Sequence, residues 1–286
     1  MGAELVESID HLRQHLTGAR RANATIGLVP TMGALHAGHV RLIEEARHEC
    51  QAVVVSIFVN PLQFDREDDL RRYPRRLDED RQLCERFGVD LVFVPSVDEM
   101  YPVPLECTID VGHLADHLCG KYRPGHFAGV ATVVMKLFGI VQADRAYFGE
   151  KDAQQLAIIR RLVADLNVPV HIVGVPTVRE RDGLALSSRN AQLGPAERQS
   201  AIALFRALQA ADRHIASGDT DAEQVKRLAA AEIPPDNPSL RLEYLEIVDP
   251  DTMQPVSVIT GPVRVAGALW VGSTRLIDNV LSTPLT

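Results

Sequence analysis

The stretch Ile26–Cys50, IGLVPTMGALHAGHVRLIEEARHEC, decides the fold of this chain. It opens with Ile26–Val29, a short apolar run followed by Pro30, which predicts a buried strand. Gly33 marks a turn in which the backbone bends sharply or approaches a ligand. From Gly38 onward, apolar residues recur at spacings of three and four, which predicts a helix. A strand, a glycine turn and a helix together form the first half of a parallel βαβ unit.

The turn and the start of this helix predict a phosphate site. Unpaired backbone N–H groups and the positive end of the helix dipole lie there. A glycine turn alone is weak support, since such turns are common after strands. His36 and His39 strengthen it, because a spacing of three residues places them on one face. They do not form the H-E-x-x-H pattern and no further ligand is evident, so we do not expect a zinc site.

Composition sets limits on the class of protein. The chain has 286 residues, 46% apolar and 24% charged, which suits one large domain or two ordinary ones. A net charge of −8 without long basic runs argues against nucleic-acid binding. Four widely spaced cysteines favour a reducing cytosol, so a cytoplasmic location is predicted. The acidic N-terminus and the short apolar runs predict neither a signal peptide nor a membrane span.

Further strands and helices alternate along the first part of the chain. The predicted strands are Ala52–Val59, Asp90–Val94, Arg145–Phe148 and Val170–Val175. The predicted helices are Glu4–Leu16, Asp78–Phe87, Phe127–Val141 and Asp152–Leu166. This alternation predicts an α/β domain with a Rossmann-like parallel sheet, which we assign to residues 1–177.

The pattern changes after Pro176, where the polar loop Arg179–Asn190 begins. Two helices are then predicted, at Glu197–Ser217 and Ala222–Glu232. Three strands follow with only turns between them, Leu240–Val248, Val263–Val271 and Arg275–Leu281. Short connections imply an antiparallel sheet. Residues 178–286 are therefore predicted to form a smaller α+β domain, and we expect it to act as a lid over the larger one.

Four polar clusters follow predicted strands of the large domain, at Thr31–His39, Asn60–Phe64, Gly149–Asp152 and Pro176–Val178. Each therefore falls at the carboxyl edge of the sheet, where open parallel sheets bind ligands. We expect the clusters to line one crevice.

Three kinds of side chain indicate an anionic, polar ligand, although each has a simpler explanation. Lys151 is unfavourable at a helix start unless an anion compensates it, although a solvated charge cluster is the simpler explanation. Ser187–Arg189 could clamp an anion or could be ordinary linker. Gln63 and Gln155 suit a polar small molecule, but each alone is no more informative than a surface glutamine.

Five motifs in order resemble the pantoate–β-alanine ligase family, within the HxGH nucleotidyltransferase superfamily. They are PTMGALHAGH from Pro30, SIFVNPLQF from Ser56, RPGHFAGV from Arg123, FGEKDAQQ from Phe148 and LSSRN from Leu186. The later TRLIDNV from Thr274 is also similar. Two positions depart from the family pattern, Ala153 where tyrosine is usual and Leu186 where methionine is frequent.

The resemblance implies an ATP-dependent ligase that uses Mg²⁺, condenses pantoate with β-alanine through a pantoyl adenylate, and forms a homodimer. It implies catalytic roles for His36, His39, Lys151 and Arg189, with His39 as proton donor. It implies that substrate is bound by Asn60, Gln63, Arg123, His126 and Gln155, and that Asp80, with Glu79 a weaker candidate, lies on the magnesium side. The implied ATP contacts are Pro30, Thr31, Met32, Gly33, Ala34, Leu35, His36, Ala37, Gly38, His39, Gly149, Glu150, Lys151, Asp152, Val178, Leu186, Ser187, Ser188 and Arg189.

Two alternatives remain open from the sequence. The chain could be another HxGH adenylyltransferase that moves AMP to a phosphate acceptor, although the NPLQF motif and the two glutamines favour a carboxylate. It could instead be a nucleotide-binding module without turnover, although two histidines and a lysine exceed what binding alone requires.

Overall fold

The structure is a computed structural model that describes residues 2–65 and 67–284. Its strands are β1 (Glu4–Val6), β2 (Ile26–Thr31), β3 (Ala52–Ile57), β4 (Leu91–Phe93), β5 (Arg145–Gly149), β6 (His171–Val175), β7 (Leu240–Val248), β8 (Val263–Val271) and β9 (Thr274–Ser282). Its helices are α1 (Ile9–Arg21), α2 (Ala37–Glu49), α3 (Glu67–Arg72), α4 (Leu77–Arg86), α5 (Val97–Met100), α6 (Leu118–Tyr122), α7 (His126–Val141), α8 (Ala153–Asp165), α9 (Pro195–Ser200), α10 (Ala203–Ala216) and α11 (Ala222–Ala230).

The first sheet has the order β1-β4-β3-β2-β5-β6, and every adjacent pair of strands is parallel. From β2 the chain builds outward through β3 to β4, and it later returns to the other side of β2 with β5. The strand order therefore reverses beside β2, which is where such sheets bind ligands. Val53, Val54 and Val55 of β3 are fully buried, as expected for a strand covered on both faces. The predicted α/β parallel sheet is confirmed.

The amino-terminal prediction was wrong over its first turn. Glu4–Leu16 was predicted as a helix, but Glu4–Val6 forms the edge strand β1 and pairs with β4. The helix α1 begins only after Ser8, whose Oγ accepts a hydrogen bond from the N–H of His11. This serine N-cap satisfies an otherwise unpaired amide and sets the start of the helix. Glu4–Val6, which precede this cap, instead form hydrogen bonds with β4 at the edge of the sheet.

The second sheet is antiparallel, in the order β7-β8-β9, as predicted. The predicted long helix at Glu197–Ser217 is divided into α9 and α10 by Ala201 and Ile202. Their ψ angles of −25° and −18° are nearer to the values of a 3₁₀ turn than to those of an α-helix. Small residues of α10, among them Ala207 and Ala211, are fully buried in the core of this part of the chain.

The chain divides into two compact units that interleave in sequence. The first contains residues up to Val111, Arg123–Glu150 and Ile158–Pro176. The second contains Gly112–Tyr122, Lys151–Ala157 and the residues from Thr177 onward. The predicted boundary between residues 177 and 178, and the lid role of the second part, stay predictions. Within the described residues every helix is too short or too polar to cross a bilayer.

Candidate active site

The turn after β2 is shaped by its own hydrogen bonds and by a buried carboxylate. Gly33 and Ala34 have φ angles of 84° and 51°, in the left-handed region that a residue with a Cβ rarely adopts. Asp80, which is only 2% exposed, accepts hydrogen bonds from the N–H of Ala34 at 2.8 Å and of Leu35 at 2.7 Å. Burial raises the pKa of Asp80, and the two backbone hydrogen bonds oppose that shift. Asp80 therefore holds this turn in its unusual conformation.

His36 and His39 cap the helix α2 with their own side chains. Nδ1 of His36 accepts from the N–H of Gly38 at 3.1 Å, and Nδ1 of His39 accepts from the N–H of His36 at 3.2 Å. The two ring centroids lie 4.2 Å apart. Since each Nδ1 accepts a hydrogen bond, the proton of each neutral ring resides on Nε2. The pair therefore carries two N–H donors beside a helix N-terminus, which suits an anion.

The glycine between the histidines has a steric role. A Cβ at Gly38 would lie 2.8 Å from Cε1 of His36. The glycine leaves room for the imidazole of His36 over the start of the helix, which explains why the motif has glycine at this position.

A second cluster follows β3, in the 3₁₀ turn Pro61–Gln63. Gln63 is buried, and its Nε2 lies 2.8 Å from Sδ of Met32 in the turn after β2. The main-chain carbonyl oxygen of Gln63 accepts hydrogen bonds from Nη2 of Arg123 at 3.1 Å and from Nδ1 of His126 at 2.7 Å. Arg123 also donates to Nε2 of His126, so the imidazole is fixed as the Nδ1–H tautomer. The first unit thus brings together four predicted site residues, with Arg123 and His126 holding the backbone of Gln63.

The predicted residues of the second unit form a group of their own. Lys151, Ser187 and Arg189 line one pocket together with Asp278. The Lys151 side chain is 17% exposed, with Nζ 3.9 Å from a carboxylate oxygen of Asp152. The main-chain carbonyl oxygen of Lys151 accepts a hydrogen bond from Nδ2 of Asn279 at 2.9 Å. This group therefore places an ammonium, a hydroxyl and a guanidinium around one space.

The loop Arg179–Asn190 is organised by local hydrogen bonds and by one ion pair to β9. The N–H of Leu186 donates to the carbonyl of Val178 at 2.9 Å, which joins two predicted ATP contacts. The Oγ of Ser187 caps the following 3₁₀ turn by accepting from the N–H of Arg189. The guanidinium of Arg179 pairs with both oxygens of Asp278, at 2.6 and 3.0 Å.

Sequence reasoning missed several residues that support the site. Asp278 and Asn279 lie within TRLIDNV, a motif to which the sequence alone assigned no role. Tyr101 donates from its hydroxyl to Oδ1 of Asn60 at 2.8 Å. Gln154, next to the predicted Gln155, donates to the carbonyls of Leu114 and His117. Gln154 carried a local signal, the doubled glutamine, and Asp278 and Asn279 lie in a motif similar to that of the family, whereas no local pattern marked Tyr101.

The magnesium assignment of Asp80 can be tested against the donor set. Both of its oxygens already accept backbone hydrogen bonds. The described residues contain no group of three or more His, Cys, Asp or Glu side chains that could hold a metal ion. These residues do not fit a dedicated metal cage, and magnesium stays a prediction from the resemblance.

The parallel sheet, with polar clusters at its carboxyl edge, defines a Rossmann-like α/β protein, a class whose members bind ligands at that edge. The chain belongs to the pantoate-beta-alanine ligase family, whose model matches residues 4–281, and it is a ligase. The resemblance found in the five motifs is thereby confirmed.

Relatives and solved structures agree with this membership. The pantothenate synthetase of Moorella thermoacetica is 51% identical over 278 residues, covering 97% of this chain and 98% of the relative. The crystal structure of pantothenate synthetase from Thermus thermophilus is 47% identical, with a TM-score of 0.91 over 97% of this chain and 98% of that one. Pantoate-beta-alanine ligase from Francisella tularensis, solved with beta-gamma ATP and beta-alanine, is 34% identical, with a TM-score of 0.79 over 98% of both chains.

Proposed function

We propose that this ligase condenses pantoate with β-alanine in two steps. A carboxylate oxygen of pantoate attacks the α-phosphorus of ATP, and the bond to the bridging oxygen breaks, which releases pyrophosphate. The amine of β-alanine then attacks the acyl carbon of the pantoyl adenylate, and AMP leaves as pantothenate forms and the amine loses a proton. The bound nucleotide and β-alanine in the Francisella tularensis relative support these substrates.

The paired imidazoles are the observation that carries this proposal. Displacement at phosphorus requires little covalent work from a protein, so catalysis depends on positioning and on stabilising charge. The Nε2–H donors of His36 and His39, fixed by the capping of α2, suit the negative charge that grows on departing pyrophosphate. His39 is our candidate for the proton donor. Lys151 and Arg189 would neutralise further phosphate charge.

Glutamines are suited to the acid substrate because they bind a carboxylate without adding charge. We assign Gln63 to pantoate and afterwards to β-alanine, and Gln155 to pantoate. Gln63→Ala should therefore weaken pantoate binding more than ATP binding, as calorimetry would measure. Equal loss of both affinities would contradict this assignment.

The reaction itself is the first test. The protein is supplied with ATP, Mg²⁺, pantoate and β-alanine, and we expect AMP and pantothenate. Exchange of labelled pyrophosphate into ATP should require pantoate. Exchange without pantoate would indicate transfer of AMP to another acceptor, and ATP binding without AMP release would indicate a binding module.

Two variants test the residue roles. We expect His39→Ala and Lys151→Ala each to lower the adenylation rate by about 10²–10³, as for other preorganised donors. His48→Ala is the matched control, because His48 is exposed in the last turn of the same helix as His39. Near wild-type turnover in either test variant would remove that residue from the mechanism.

A further inference from the structure

The side chain of Asn60 uses all of its hydrogen-bonding capacity inside the protein. Its Oδ1 accepts from the hydroxyl of Tyr101 at 2.8 Å and from the N–H of Leu62 at 3.3 Å. Its Nδ2 donates to Oε1 of Gln63 at 3.2 Å and to the carbonyl of Gly129 at 3.1 Å. An amide has two acceptor sites and two N–H donors, so this set is complete. Asn60, which is 1% exposed, therefore has no hydrogen-bonding group left for a ligand, and its side chain is linked to Gln63.

These bonds decide which end of the Gln63 amide is available to a ligand. The carbonyl end, Oε1, is engaged by Asn60. The nitrogen end, Nε2, lies against Sδ of Met32, and a thioether is only a weak acceptor. Gln63 is thus held with its N–H groups, rather than its carbonyl, ready for an anion. A carboxylate needs this orientation, because the opposite one would bring two acceptors together.

Tyr101 lies at the end of the hydrogen-bond series that runs from Tyr101 through Asn60 to Gln63, and its position is itself well fixed. Its ring packs against Phe58, with centroids 6.0 Å apart, and Nζ of Lys136 lies 5.5 Å from the ring centroid. Burial raises the pKa of Tyr101 to about 12, so the hydroxyl keeps its proton and remains a donor at neutral pH. A rigid ring and a permanent donor together hold the Asn60 amide in one orientation.

We propose that Tyr101 is a positioning residue for the carboxylic acid substrate, acting through Asn60 to hold Gln63 with its N–H groups toward the acid. The inference rests on the proposed role of Gln63. Without the hydroxyl, Oδ1 of Asn60 keeps only the longer bond from Leu62. The amide is then free to tilt, and its bond to Gln63 weakens.

Tyr101→Phe removes the hydroxyl and keeps the ring. We expect the KM for pantoate to rise about 3- to 10-fold, the effect of one ordinary hydrogen bond, with the KM for ATP unchanged. Tyr122→Phe is the matched control, because the Tyr122 hydroxyl donates to the carbonyl of Glu243 and not to this network. It should leave both constants unchanged. Thermal melting of both variants checks that each is folded.

A double-mutant cycle separates positioning from general damage to the fold. In a Gln63→Ala background, adding Tyr101→Phe should change the pantoate KM by less than about 2-fold, since the amide to be oriented is gone. The same loss in both backgrounds would overturn the inference, as would an unchanged pantoate KM in Tyr101→Phe alone. If Gln63→Ala alone left pantoate binding intact, the proposed role of Gln63 would fail first, and this inference with it.

Discussion

Gly129→Ala tests whether the turn that carries Gln63 depends on close approach to α7. A Cβ at residue 129 would lie 2.3 Å from the carbonyl oxygen of Leu62 and 2.8 Å from the backbone nitrogen of Gln63. Both neighbours are main-chain atoms, so rotation of a side chain does not relieve the overlap. We expect the variant to push the Pro61–Gln63 turn away from the helix.

The distances set the size of the effect. Real Cβ atoms essentially never approach closer than 3.0 Å, so the 2.3 Å contact must lengthen by at least about 0.7 Å. Misplacing a substrate-holding group by roughly 1 Å can reduce a rate by about 10²-fold. We therefore expect kcat/KM for pantoate to fall about 30- to 100-fold. Overpacking should also lower the free energy of unfolding by about 1–3 kcal/mol.

Steady-state kinetics with varied pantoate, and urea unfolding, measure the two effects. Gly139→Ala is the control on the same helix, because Gly139 is exposed and a Cβ there meets no atom within 4 Å. It should raise the free energy of unfolding by about 0.5–1 kcal/mol, since alanine favours helix more than glycine does, and leave kcat/KM unchanged.

A Gly129→Ala variant that keeps kcat/KM for pantoate within about 3-fold of the wild type would show that the turn does not depend on this close approach. A general loss of stability cannot account for a change in kcat/KM, because the kinetics are measured under conditions where both variants are folded. An equal loss of pantoate and ATP binding would also contradict the local displacement.

Further measurements address Asp80 and the cysteines. Asp80→Asn should weaken ATP binding, and excess Mg²⁺ should not restore it, because both oxygens brace the turn; restoration would favour a metal ligand. Burial raises the pKa of Asp80, so its contribution to stability is complete below the unfolded pKa and is lost as pH rises through the folded pKa. Urea unfolding should show a smaller fall in Asp80→Asn than in wild type, where the remaining fall comes from groups such as Asp278, whose pKa burial also raises. An alkylating reagent should label exposed Cys107 first by mass spectrometry, since burial raises the pKa of Cys84 to about 12 and that of Cys50 as well; prior labelling of a buried thiol would contradict this.

Much of the fold follows from local patterns, and the exceptions have a physical cause. Apolar β-branched runs predicted β2 and β3, because both faces of those strands are buried. The strand β1 was missed, because Leu5, Ile9 and Leu12 have helical spacing. Its pairing depends on β4, which is distant in the chain. A three-residue strand has too short a pattern to reveal such a partner.

The candidate site also combines residues that local sequence patterns reveal with residues whose roles depend on distant contacts. Motif spacing identified His36 and Gln63 as candidates, because chemical type and position within a motif are visible in the sequence. The work of Tyr101, Asp80 and Asn279 is set by bonds to residues far along the chain, and no local pattern encodes those bonds. The homodimer and the cytoplasmic location stay predictions.

The interleaving of the two units bears on how the protein can be cut or recombined. Cys119 lies 3.2 Å from the hydroxyl of Tyr244, and the ring of Tyr122 stacks on that of Tyr244 at 5.6 Å. A fragment starting at Thr177 would lack Cys119 and Tyr122, and the side chain of Tyr244 would lose its contacts with them. Chimeras that exchange the C-terminal segment between relatives must therefore also exchange residues 112–122 and 151–157. Otherwise, mutations must restore the packing between these segments and the new C-terminal segment.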